Sequence, residues 1–131
     1  MATNISGSHT WLFVAAFLGG LAVACGAFGT HGLKDRLPAA ELANWETAAR
    51  YQMYHALALL AIGLLASRSP SRLLNLAGLS MMLGTLIFSG CLYALVLTGE
   101  RRLGAVVPIG GVLLIVGWAL LAVAVFRSAS A

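Results

Sequence analysis

The distribution of charge constrains this chain more than any other feature. No Asp, Glu, Lys or Arg occurs before Lys34, and further uncharged runs cover Tyr51–Ser67, Leu73–Gly99 and Leu103–Phe126. A bilayer core is crossed by roughly 20 mostly apolar residues, each rising about 1.5 Å. The first, third and fourth runs meet that length. The second is shorter, but Arg50 and Arg68 stand at its ends, where long cationic side chains reach out to the interface. Charged residues make up 9% of the chain, against roughly 25% in soluble domains. Such a chain cannot clothe a water-facing surface. The expected fold is all-α, an integral membrane four-helix bundle in one transmembrane domain.

The punctuation of the sequence sets the boundaries. Spans are expected over about 9–29, 51–66, 73–97 and 106–126. Residues Met1–Thr10 read as a short polar tail with Ser6 or Ser8 as a helix cap. Trp11 opens the first span at the water–lipid interface. The stretch Leu21–Cys25 is similar to a lipoprotein cleavage site. However, Ala22 stands where a larger aliphatic is preferred and no positive region precedes it, so the segment reads as a span. Glycines at 26, 29 and 32 predict a helix end and a turn. Leu37-Pro38 then starts a short amphipathic interfacial helix over 38–50, which leads into the second span. Leu42, Trp45 and Ala49 share one face of it, and Glu46 and Arg50 have the spacing of an ion pair. Ser67–Arg72, with Pro70, and Thr98–Gly104 read as the remaining loops.

Orientation follows from Lys and Arg. Lys34, Arg36, Arg50, Arg101 and Arg102 fall on one side; Arg68, Arg72 and Arg127 fall on the other. Five against three puts the first and third loops in the cytoplasm and both termini outside. The net charge of +4 comes from these juxtamembrane residues. No basic stripe with interleaved aromatics exists for a phosphate backbone, so no nucleic-acid partner is expected. The expected partners are the lipid bilayer and a homo-oligomer or larger membrane complex.

Lipid offers no hydrophobic drive for helix association, so small residues at helical spacing become candidate contacts. Gly20, Ala24 and Gly26 in the first span, Gly90 and Ala94 in the third, and Gly110, Gly111 and Gly117 in the fourth are the candidates.

Alternating spans bring one set of polar groups to a single membrane face: Thr30, His31, Tyr51, Gln52, Tyr54 and His55. Tyr51, Tyr54 and His55 share a helical side. One reading is structural, with the tyrosines in the interfacial aromatic belt and the histidines tying the first loop to the bundle. The other is a polar pocket carrying a proton or a ligand headgroup. No metal or cofactor is expected, since two histidines without carboxylate or thiolate neighbours fall short of a site. Cys25 and Cys91 sit in apolar runs as small hydrophobes. Asp35, Glu41, Glu46 and Glu100 lie outside the spans, and no nucleophile–base pattern or phosphate loop occurs, so no catalytic residue is expected.

The segment Gly26–Lys34, GAFGTHGLK, resembles the signature of the YgdD-like family. These are small multi-pass bacterial inner-membrane proteins, with a small eukaryotic transmembrane relative. Three further stretches match in order: Tyr51–Leu60, Phe88–Tyr93, and Pro108–Gly111 followed by Gly117-Trp118. Thr30 stands where the family usually has Ala, and Cys91 where it has Ser or Thr. The resemblance implies a multi-pass membrane protein and brings no reaction, substrate or cofactor. The leading expectation is a non-enzymatic helix-packing, lipid- or partner-binding module, or an accessory subunit. The alternative is an oligomeric transporter or channel for an ion or small solute.

Overall fold

The structure, a computed structural model, describes residues 5–129, with side chains from residue 7 onward. Four long helices follow one another. They are α1 (Ile5–Phe28), α2 (Ala39–Arg68), α3 (Arg72–Thr98) and α4 (Leu103–Ala129). Three segments are long and apolar enough to cross a membrane: Gly7–Leu33, Arg72–Thr98 and Leu103–Ala129. The expected second span does not reach that standard, because Glu41, Glu46 and Arg50 occupy the first half of α2 and leave a shorter apolar stretch.

Several expected boundaries move. The segment 38–50 does run on into 51–66, as expected, as one helix, α2, but its N-terminal half is packed on the rest of the bundle, with Trp45, Ala48 and Ala49 buried. The turn expected from Gly26 is not there. Helical backbone continues past Phe28 as a π-helix, Gly29–Leu33, before the chain turns. Gly29 serves a contact instead, since a Cβ there would lie 2.7 Å from Trp45 Cδ1. Helix α1 is already formed at Ile5, so Ser8 is buried within it rather than capping it. The Ser6 side chain lies outside the described residues.

The other ends follow local chemistry. The Ser71 side chain accepts from the Leu74 N–H and caps α3. Gly99 closes the helix at φ 70°, a left-handed conformation that suits glycine. Pro108 lies inside α4, which starts earlier than expected.

Helix α1 packs on α2, α2 on α3, and α3 on α4, each antiparallel to the last. Helices α2 and α4 are therefore parallel, and they do not pack closely along their lengths. One core joins the helices around Leu59, Ile62, Ala77 and Met81. A second, smaller core forms where Trp45 meets Leu33 and Val96.

Side chains also clip the helices together. Trp45 Nε1–H donates to the Cys25 carbonyl at 2.8 Å, and Ser89 Oγ–H to the Ala48 carbonyl at 2.8 Å. Ser80 Oγ–H donates to the Leu113 carbonyl at 2.7 Å, and Trp11 Nε1–H to Asn75 Oδ1 at 3.0 Å. Each bond occupies a polar group that lipid could not satisfy. Among the described residues, no buried side-chain nitrogen or oxygen lacks a partner.

The expected packing glycines divide. A Cβ on Gly110 would lie 2.5 Å from Phe88 N and 2.9 Å from Gly84 O, and one on Gly117 would lie 2.5 Å from Met81 Cγ. These two bring α4 against α3. Gly20, Gly26 and Gly90 have nothing within 4 Å of that position, and Ala24 is exposed. Within this chain they are not contact residues, because their helix faces turn outward. Ala94 is half-buried, and Gly111 sits at ordinary contact distance, 3.8 Å, from the Phe88 ring.

Candidate functional site: a cleft between α2 and α4

The polar set that the sequence gathers at one face separates into three places. Thr30 and His31 are exposed at the π-helix, where Thr30 Oγ1–H donates to the Gly26 carbonyl of its own helix. Gln52 turns into the bundle. Its Nε2–H donates to the Leu18 carbonyl at 2.9 Å, and its Oε1 accepts from the Tyr93 hydroxyl at 2.9 Å. A single amide thus joins α1, α2 and α3. Tyr51, Tyr54 and His55 stay together on another side of α2.

Among the described residues His31 makes no contact with His55, whose partners come from α2 and α4. Its Nδ1–H donates to the Tyr51 carbonyl at 2.7 Å. Its Nε2 accepts from Trp118 Nε1–H at 3.1 Å. An indole nitrogen can only donate, and a carbonyl can only accept. Together the two bonds fix the neutral imidazole with its proton on Nδ1. His55 is buried, while Trp118 is half exposed. The indole lies edge-on to the imidazole, with ring centroids 6.1 Å apart.

This one bond bridges a gap. Because α2 and α4 are not closely packed, a cleft of about 670 Å³ opens between them. Phe88 of α3 forms part of its lining, with its ring stacked on Tyr51 at 4.7 Å. Tyr51, Tyr54, His55 and Leu57 come from α2; Gly111, Leu114, Ile115 and Trp118 come from α4. Its size falls in the range of small-molecule sites, roughly 300–1,000 Å³. The lining is aromatic and aliphatic, and none of the four acids is part of it. Tyr54, Leu57, Ile115 and Trp118 are all substantially exposed, so the cleft opens on the outer surface of the bundle.

Sequence reasoning finds the α2 wall through its helical spacing and misses the α4 wall. Trp118 is 63 residues from His55, and alone it reads as one more interfacial aromatic. The detectable signal was the unmatched ring nitrogen of His55, which required a donor from some other helix. No metal centre emerges, since no three His, Cys, Asp or Glu among the described residues gather closely enough to hold an ion. Cys25 and Cys91 are free thiols.

Four apolar-rich helices with intramolecular polar clips, three of them able to cross a bilayer, define a small all-α membrane protein. The family model described as "Protein of unknown function (DUF423)" matches residues 25–111, and the chain belongs to that family. It is 50% identical to the UPF0382 membrane protein of Staphylococcus saprophyticus, over 82% of this chain and 88% of that relative. It is also 50% identical to the UPF0382 membrane proteins of Staphylococcus epidermidis and Staphylococcus aureus, over 83% of this chain and 88% of each. No solved structure matches it. The family description assigns no molecular function.

Proposed function

We propose that this protein is a non-enzymatic membrane module that holds a bilayer amphiphile in the α2–α4 cleft. The observation that carries the reading is the cleft itself. It is an apolar, aromatic-lined space on the lipid-facing surface, spanned by a single Trp118–His55 hydrogen bond between parallel helices. An acyl chain is the occupant such a lining favours, because every lining surface it meets is aliphatic or aromatic. The histidine in the lining, His55, has both ring nitrogens taken up by Tyr51 and Trp118, which leaves neither free to exchange a proton with an occupant.

The reading places all four helices across the bilayer, with the first and third loops in the cytoplasm and both termini outside. Support comes from the antiparallel packing of α2 along α1 and α3 and from the uncharged run Tyr51–Ser67. The YgdD-like resemblance favours the bacterial inner membrane. A transport pathway built on His31 with His55 has lost its motivation, since the two do not meet.

The test is native mass spectrometry of protein released from mild detergent. Lipid adducts are expected on the wild type and should be depleted by Ile115→Trp, which fills the cleft from an exposed position. Adducts of equal abundance on both proteins would sink the proposal. Labelling of single cysteines placed at Asp35 and Ser69 should occur from opposite sides, and labelling from one side would remove α2 as a span.

A further inference from the structure

We infer that a second copy of this chain covers the outward face of α2, with Glu46 of each copy paired to Arg50 of the other. The inference rests on α2 crossing the bilayer and is independent of what fills the cleft.

The interhelical bonds fix how deep the two charges lie. Trp45 is bonded to Cys25 and Gln52 to Leu18, so Glu46 and Arg50 stand level with the part of α1 between Leu18 and Cys25. That part includes the middle of the membrane-length segment Gly7–Leu33. On α3 the bond to Ala48 comes from Ser89, which is about 6 Å from the middle of its helix at 1.5 Å per residue. The hydrocarbon core reaches about 15 Å to either side of its centre. Both charges therefore lie at hydrocarbon depth, Arg50 the deeper.

Nothing in the chain covers them there. Glu46 and Arg50 are exposed, with Ala43 on the same face of α2. The sides of the helix turned to α1 and α3 carry Trp45, Ala48 and Gln52 instead. The ion pair expected from the spacing of Glu46 and Arg50 does not form; among the described residues the only ion pair joins Arg102 to Glu100, at 4.0 Å. Neither charge lines the cleft. Ionisable groups inside a membrane ordinarily face a protein interior or a water-filled cavity, and they are paired. The outward faces of the other helices suit lipid, with Phe13 and Phe17 on α1, Leu83 and Leu86 on α3, and Ile109 and Val112 on α4. Only α2 puts charge where lipid would be.

The α2 face is complementary to itself. An acid and a base stand one turn apart, so a two-fold axis parallel to the helix sets each Glu46 against the partner's Arg50. The contact is isologous, as in a closed dimer. Side chains lean toward the N-terminus of their helix, which carries the Arg50 guanidinium toward the level of the Glu46 carboxylate. Ala43 is small enough to let two α2 backbones approach. A different protein would need an acid and a base at matching heights; a second copy has them by symmetry.

The test follows association in a bilayer. Full-length protein carrying a donor or an acceptor dye at its C-terminus is reconstituted in phosphatidylcholine vesicles, and energy transfer is measured as the protein is diluted in lipid. Glu46→Arg leaves two cations on the face and Arg50→Glu leaves two anions. Each variant alone should associate at least about tenfold more weakly than wild type, because like charges then meet. Mixed in equal amounts, the two should recover association, since each supplies what the other lacks. A chain carrying both substitutions should associate on its own. Wild type that transfers no more energy than randomly placed copies overturns the inference and leaves the face to lipid or to another protein. Single variants that associate like wild type, or a mixture that stays apart, overturn the pairing of Glu46 with Arg50. One-sided labelling of the Asp35 and Ser69 positions is a separate failure: it removes α2 as a span, returns both charges to water, and the inference falls with it.

Discussion

Helix α4 presents two faces, and each meets its neighbour differently. Toward α3 it offers Gly110 and Gly117, and the two backbones come nearly into contact. Toward α2 it offers Ile115 and Trp118, and a cleft is left between the helices. Both faces are apolar, so the hydrophobic effect does not distinguish them. In lipid, approach is decided by side-chain size at a few positions and by the hydrogen bonds that span what remains. The seam with α3 is steric and continuous. The contact with α2 is held at one polar point.

Adjacent glycines offer the sharpest way to break this contrast. Gly110→Ala drives a methyl into the Phe88 backbone, which cannot rotate away as a side chain would. A loss of about 1–3 kcal/mol is expected, the usual cost of overpacking. Its measure is the unfolding midpoint in mixed detergent–SDS micelles. Trp118→Phe keeps a ring in the cleft and removes the donor to His55. Its expected cost is about 0.6–1.7 kcal/mol, the average and upper values for interhelical hydrogen bonds in membranes. A larger loss would mean that the α2–α4 contact is more extensive than one bond. Gly111→Ala meets only the Phe88 ring at 3.8 Å. Its midpoint should stay within about 0.5 kcal/mol of wild type, as for substitutions away from tight contacts. If Gly111→Ala proved as damaging as Gly110→Ala, the two faces would not differ in the way described.

The sequence displayed the helices more clearly than it displayed their faces. Uncharged runs marked α1, α3 and α4, and Ser67–Arg72 marked the loop between α2 and α3, because charge and proline report solvent exposure locally. In the segment 26–33, local signals misled. Three glycines resembled a chain turn, although one of them makes room for the Trp45 ring of another helix. Gly20 and Gly90 carried the same small-residue pattern as Gly117 and turned out to face outward. A lipid-facing surface and a helix-facing surface are both apolar, so composition cannot tell them apart. The candidate site was half legible for a related reason. Tyr51, Tyr54 and His55 share a helix, and periodicity joins them; Trp118 arrives by tertiary packing, which periodicity does not encode. Gln52 belonged to the expected cluster by position along α2, but it points into the core, where it serves three helices at once.

Four of the interhelical clips share a property with a consequence for how this chain can change. In Trp45 to Cys25, Gln52 to Leu18, Ser89 to Ala48 and Ser80 to Leu113, the acceptor is a main-chain carbonyl. Every residue type supplies that oxygen, so the bond is indifferent to which amino acid stands on the accepting side. Saturation mutagenesis scored by folded yield should therefore be lopsided. The donor positions 45, 52, 80 and 89 should admit almost nothing, while their acceptor positions are filtered by volume alone. Ala48 illustrates the point. It contributes to the Ser89 bond through its backbone oxygen, and its own buried side chain is limited only by the space around it.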